Sequence, residues 1–171
     1  MMTIACVHVT LHTQSTAADS RVPEAERVAL AYLADFYRCD FEKAVRQLHP
    51  DTVKKIKETM LATLEKARAA GAEKEVLATL GFENVDELRK MDPSEFHVHI
   101  LKRDREHNPP GAVEAGKKTT ITVKDSSVLD GTNARVVLHL STPTDGKAFE
   151  QDSALKLSKT EGEWKVLGNS P

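Results

Sequence analysis

Four runs of alternating apolar and polar residues, separated by three turn signals, fill the last third of the chain and constrain its fold more than any other feature. The turn signals are Asp130 followed by Gly131, residues 143–146, and Glu161 followed by Gly162. Alternation places every second side chain on the same face of a strand. The pattern therefore predicts four strands within residues 118–169, joined by consecutive antiparallel hairpins.

One face of this predicted sheet is apolar and the other is polar. The apolar face is predicted to hold Ile121, Val123, Ala134, Val136, Leu138, Leu140, Ser153, Leu155, Leu157, Trp164 and Val166. The opposite face is predicted to hold Thr120, Thr122, Lys124, Arg135, Val137, His139, Lys156 and Lys165. A sheet with a single apolar face needs a cover, and the upstream residues are the material available. The fold class predicted is α+β, with N-terminal helices packed on a C-terminal four-stranded antiparallel meander.

Residues 22–106 are predicted to supply these helices. In residues 51–70 the apolar positions advance by three or four, which is the period of one helical face. Further helices are predicted at 40–48, 72–80, 85–91 and 93–106. The first helix is predicted to begin at Pro23, with Glu24 and Glu26 near the positive end of its dipole. Its predicted buried stripe is Val28, Tyr32 and Phe36, widened by Ala29 and Leu33.

The 171 residues are predicted to form a single domain, 21–171, around one core. Residues 107–117 contain Pro109, Pro110 and Gly111 and are predicted to be a linker between the helices and the strands. Residues 1–20 are mildly apolar but lack a basic start, which indicates a degenerate export leader. A leader would place the protein in the periplasm or outside the cell; the alternative is a flexible tail on a cytoplasmic protein.

Charge and composition exclude several classes of protein. The 24 basic and 26 acidic side chains nearly cancel, which predicts no nucleic-acid partner. No run approaches the roughly 18 apolar residues of a membrane span. Two cysteines, Cys6 and Cys39, are too few for a disulfide framework.

Three segments carry a family resemblance: Ala-Tyr-Leu-Ala-Asp-Phe-Tyr at 31–37, Asp-Phe-Glu-Lys-Ala at 40–44 and Gly-Glu-Trp-Lys-Val-Leu-Gly at 162–168. In this order the chain resembles the nuclear transport factor 2-like superfamily, a cone-shaped α+β fold shared with ketosteroid isomerase and SnoaL-type cyclases. More narrowly it resembles small exported bacterial domains of unknown function described as lumazine-binding-like. The superfamily includes isomerases, dehydratases, binding modules and dimerising scaffolds, so the resemblance implies a fold without choosing a function.

No catalytic, cofactor or metal motif stands out in the sequence. His139 is a candidate proton acceptor if a carboxylate lies near it, and Asp35 and Tyr37 are candidates for the edge of a pocket. The alternatives are an exposed sheet residue, a surface carboxylate and a packing tyrosine. His97 and His99 would lie about 200° apart on a helix, which argues against a shared metal ion and predicts solvent-exposed side chains.

The function predicted first is a non-catalytic binding or interaction module that takes a small apolar ligand or a protein partner. One alternative is a small proton-transfer enzyme, an isomerase or dehydratase, with an acid or histidine in an apolar pocket. The other is a structural homodimer that uses the outer sheet face with Arg135, Val137 and His139.

Overall fold

The computed structural model describes residues 21–144 and 146–169, so the predictions for residues 1–20 fall outside the described chain. In these residues seven helices precede four strands. The helices are α1 (Pro23–Tyr37), α2 (Phe41–Arg46), α3 (Pro50–Ala69), α4 (Glu73–Leu80), α5 (Val85–Lys90), α6 (Pro93–Glu106) and α7 (Pro110–Lys117). No helix in this part of the chain is both long and apolar enough to cross a bilayer.

The strands form one antiparallel sheet in the order β1-β2-β3-β4. They are β1 (Thr120–Asp130), β2 (Asn133–Pro143), β3 (Ala148–Thr160) and β4 (Glu163–Asn169). The meander is therefore confirmed, and so is the α+β class with helices before strands. The alternation along β2 is confirmed as well, because Ala134, Val136, Leu138 and Leu140 are buried while the residues between them are partly exposed.

Helix α1 packs on the apolar face of the sheet with Ala29 and Leu33 of the predicted stripe, whereas Val28, Tyr32 and Phe36 are not its buried centre. Its buried residues are Ala25, Ala29 and Leu33, whereas Val28 and Tyr32 lie at the margin of this core. Alanines lack bulk beyond Cβ, so they let the helix backbone approach the sheet closely, and the larger side chains pack to the side. Burial also raises the pKa of Tyr32 above its ordinary value.

A second apolar cluster lies among the helices, away from the sheet. It contains Leu64, Leu77, Phe82, Val85, Leu88 and Phe96, contributed by α3, α4, α5 and α6 and by the loop before α5. The buried residues therefore form two clusters, a sheet core and a helical core, whereas the chain length and composition predict a single core. The cover of the sheet falls mainly to α1 and α2, with Val45 and Leu48 from the α2 region.

The segment predicted as a linker contains helix α7, which corrects that prediction. Pro109 and Pro110 signalled a chain break, but Pro110 occupies the first turn of α7, where a missing N–H costs nothing. Gly116 is buried because α7 packs beside Tyr37, the last residue of α1. The helix thus stands next to the start of β1.

The two edges of the sheet differ. Beside β4, the N–H of Val166 donates to the carbonyl of Gln47 and the N–H of His49 donates to the carbonyl of Val166, both at 2.8 Å. Residues 47–49 thereby cover that edge. Within 21–144 and 146–169 no strand pairs with the outer edge of β1. Strand β1 contacts α1, and α7 ends at Lys117, shortly before β1 begins.

Candidate functional site

A cleft of about 680 Å³ opens between α1, α7 and the start of β1. This volume is within the range of small-molecule sites. The residues that line this cleft, called the α1 cleft below, are Pro23, Glu26, Arg27, Leu30, Ala31, Ala34, Tyr37, Arg38, Lys117, Thr119, Thr120 and Ile121.

The floor of the α1 cleft is apolar. Leu30, Ala31 and Ala34 follow one another at helical spacing on the face of α1 next to the sheet-packing stripe. Ile121 faces them from β1. Because two of the three helical positions are alanines, the side chains leave space between the helix and the strand.

Glu26 supplies a largely buried carboxylate at the end of the cleft near the start of α1. Its side chain is 16% exposed, and its Oε1 accepts a hydrogen bond of 2.5 Å from the hydroxyl of Ser126. Arg21 Nε lies 3.3 Å from the same oxygen. The backbone N–H of Val22 donates to the Ser126 hydroxyl at 3.3 Å, so this serine ties the start of α1 to β1.

A β-bulge places Ser126 in this position. The register of β1 against β2 shifts between Val123 and Asp125, so that Asp125 pairs with Val137 on the outer face and Ser126 pairs with buried Val136. Without the extra residue, parity would turn Asp125 toward the core. The bulge therefore keeps a charge out of the core and turns a hydroxyl inward.

The other end of the α1 cleft is basic. Arg38 is exposed at the end of α1 and makes no ion pair within the described residues. Lys117 at the end of α7 lies 2.7 Å from Glu114, and this contact raises the pKa of Lys117 and lowers that of Glu114. Tyr37 also lines this end of the cleft, and its hydroxyl accepts a hydrogen bond of 3.4 Å from the side-chain amide of Gln151.

The three candidate residues from the sequence do not come together. Tyr37 lines the α1 cleft, whereas the Asp35 carboxylate accepts a hydrogen bond of 2.8 Å from the side-chain amide of Gln47 and does not line it. His139 lies on the outer face of the sheet, away from α1. They therefore form no common acid and base arrangement.

His139 does have a carboxylate beside it. Its Nδ1 lies 2.9 Å from Asp152, which also accepts a hydrogen bond from Lys124 at 2.5 Å. These two bonds, the one from Lys124 first, lower the pKa of Asp152 below its ordinary value. The side chains of His139 and Asp152 are 36% and 42% exposed on the outer sheet face, so the pair lacks the enclosure of a typical active site.

The prediction that His97 and His99 are exposed is wrong. Both are partly buried on α6; His99 Nε2 lies 2.9 Å from the carbonyl of Leu80, and its ring contacts Phe82. Burial lowers the pKa of His97 below its ordinary value of 6.5. Within the described ranges no group of three or more metal-ligating side chains occurs.

Comparisons with known proteins give one match. No family model matches the sequence, and no curated protein matches it significantly. A solved structure described as an NTF-2 like protein of unknown function, from Shewanella oneidensis MR-1, is similar with 11% identity and a TM-score of 0.47. The match covers 86% of this chain and 94% of that one. A similarity of this size carries no functional conclusion and does not bear on the lumazine-binding resemblance.

Sequence reasoning missed most of the α1 cleft. The sequence pattern predicts that Glu26 complements the helix dipole, and Arg38 and Lys117 belong to no motif. One signal was present: Arg27, Ala31, Ala34 and Arg38 recur at spacings of three and four, which marks a second face of α1. That β1 lies beside this face of α1 is a result of tertiary packing, which the sequence pattern does not show.

Proposed function

We propose that the protein is a binding module whose α1 cleft holds a small molecule with an apolar body. The observation that supports this proposal most is the cleft itself, in which an apolar floor is flanked by polar groups at both ends. Such sites combine apolar walls with a few polar groups that fix the orientation of the ligand.

The two ends of the cleft differ chemically, which gives a ligand one preferred direction. Glu26 is held in place by Ser126, so its carboxylate position is fixed before any ligand arrives. Tyr37, Arg38 and Lys117 stand at the opposite end. Preorganised groups of this kind reduce the entropy lost on binding.

The proposal is tested with Nile red, a neutral dye whose fluorescence rises in apolar surroundings. We expect the full chain to enhance its emission and the variant Ala34→Phe, which fills the cleft, to weaken binding by about tenfold or more. Ala62→Phe on the exposed side of α3 is the matched control and should bind like the wild type. Equal binding by both variants, or no enhancement by the wild type, would contradict the proposal.

Proton transfer is the enzymatic alternative, and Glu26 is the residue it would need. Glu26 is the carboxylate that lines the cleft, but its Oε1 already accepts from Ser126 and lies near Arg21. A Glu26→Gln variant separates the two functions. Turnover of a test substrate that disappears in this variant, while dye binding persists, would favour the enzyme.

Homodimerisation through the outer sheet face is favoured by a separate observation. Small apolar residues Val137 and Ala154 pair across the middle of this face, with Arg135 and Lys156 in one neighbouring row and His139 and Asp152 in the other. A two-fold axis that lies in the interface, perpendicular to the strands, would place Arg135 and Lys156 of one copy near Asp152 of the other. Sedimentation analysis tests it: a dimer that becomes monomeric in Val137→Asp supports this role, and a monomeric wild type contradicts it.

A further inference from the structure

We infer that the ligand of the α1 cleft is a single-chain amphiphile with one anionic headgroup, and that this headgroup lies at the end of the cleft formed by Tyr37, Arg38 and Lys117. This inference rests on the proposed function and names the chemical class of the ligand.

The charge of the lining supports an anion. Three basic side chains, Arg27, Arg38 and Lys117, line the cleft together with one acidic side chain, Glu26, although the whole chain has a net charge of -2. The single carboxylate is engaged by Ser126 and Arg21 and is remote from Arg38 along α1. A positive cleft on a slightly negative protein attracts anionic ligands selectively.

The donors at the basic end suit a carboxylate. Arg38 has no acidic partner in the described residues, and a guanidinium can bind both oxygens of a carboxylate. The Tyr37 hydroxyl accepts from Gln151 and retains its own O–H to donate. Lys117 is paired with Glu114 on an exposed surface, and such pairs are weak enough to exchange partners.

The helix dipoles at this end do not reverse the charge balance. α1 and α7 both end here, and each C-terminus contributes a partial charge of about −0.5. Arg38 and Lys117 contribute two full positive charges, and Glu114, which pairs with Lys117, removes one of them. The remaining positive charge, on Arg38, is about equal to the two partial negative charges of the helix ends and offsets them.

The length of the floor sets the shape of the ligand. Arg27 and Arg38 are separated by eleven residues of α1, or about 16 Å along the axis. Between them lie Leu30, Ala31 and Ala34, and none of these carries a polar side-chain group that an alkyl chain would leave unsatisfied. A medium-length alkyl chain therefore fits along the floor with its charged end at Arg38.

The test compares decanoate with 1-decanol, which differ at the headgroup, as competitors of Nile red on the full chain. We expect decanoate to displace the dye at about tenfold lower concentration than decanol, with an advantage that shrinks as NaCl rises. In the double variant Arg38→Gln, Lys117→Gln the advantage should disappear. The control Lys66→Gln, Lys74→Gln removes the same charge from exposed positions outside the cleft and should keep it.

Each outcome decides one question. Equal displacement by decanol and decanoate overturns the anionic class and leaves the binding function intact. A preference for decanoate that persists in the Arg38 and Lys117 variant overturns the placement of the headgroup. A wild type that binds neither dye nor competitor overturns the binding function itself.

Discussion

Two faces of helix α1 are built from the same kinds of residue, but one is buried against the sheet and the other lines an open cleft. One face carries Ala25, Ala29 and Leu33, which are 0%, 0% and 8% exposed against the sheet. The other carries Leu30, Ala31 and Ala34, which line an open cleft. Composition and spacing cannot tell these faces apart. What separates them is that the sheet closes over the first, whereas only edge strand β1 and the short α7 approach the second.

The largest expected difference between the faces is in stability. Leu33→Ala should lower the free energy of unfolding by about 2–5 kcal/mol because it leaves a cavity in the sheet core. Leu30→Ala makes the same chemical change on the cleft face, where the side chain is only partly buried at the margin of this core, and should cost less, about 1–2 kcal/mol. Urea denaturation measures both. Equal losses would show that the cleft face is as closed as the core face.

The hydrogen bond from Ser126 to Glu26 ties β1 to the start of α1. Ser126→Ala should lower the free energy of unfolding by about 1.5–3 kcal/mol, because it removes a hydrogen bond to the carboxylate of Glu26. Ser127→Ala, one residue along on the outer side of β1, is the control and should change little. If the two variants unfold alike, the tie between α1 and β1 is not a stabilising contact.

Replacing an alanine by leucine on each face should change the free energy of unfolding less, but it should change it on one face only. Ala29→Leu overpacks the sheet core and should cost about 1–3 kcal/mol. Ala34→Leu enters the cleft and should leave stability within about 0.5 kcal/mol while weakening Nile red. The same pair of assays reports both effects. A strongly destabilised Ala34→Leu protein would mean that the cleft has no room for a ligand.

The smallest expected effect is the change of stability with pH. The buried residues of α1, Ala25, Ala29 and Leu33, have no titratable side chains and should not contribute to it. His97 on α6 has a lowered pKa because of burial, so the unfolded chain binds its proton more readily. Stability should therefore fall as pH drops below about 6.5. His97→Phe should flatten this part of the profile, and His107→Phe at an exposed site should not. A wild-type melting temperature that rises on acidification would contradict this assignment.

Much of the fold could be predicted from the sequence because its signals are local. Alternation fixes the faces of β2, and helix caps such as Asn84 and Asp92 act within one turn, which is why α5 and α6 begin at the predicted residues. The α1 stripe was predicted in part: Ala29 and Leu33 are buried, but the centre was placed on Val28 and Tyr32 because periodicity locates a helical face only to within one residue. The helix α7 was missed because its prolines signal a break as readily as a helix start.

The cleft could not be predicted because it depends on long-range placement. Glu26 and Ser126 are 100 residues apart in the sequence. Ser126 faces inward only because of a β-bulge, and no residue type in β1 indicates that bulge. Arg38 and Lys117 line the same cleft because α7 docks on Tyr37. Sequence patterns show which side chains lie on the same face of a helix or strand. Clefts between helices and strands depend on tertiary packing, which these patterns do not describe.

The most direct test of the account is an amide NMR titration of the full chain with decanoate. Binding in the α1 cleft predicts that the largest shift changes fall on Leu30, Ala34, Lys117 and Thr120, with little change at Thr63 of α3 or at Lys156 on the outer sheet face. Shift changes centred on α3 or on the outer sheet face, or no changes at saturating ligand, would contradict it.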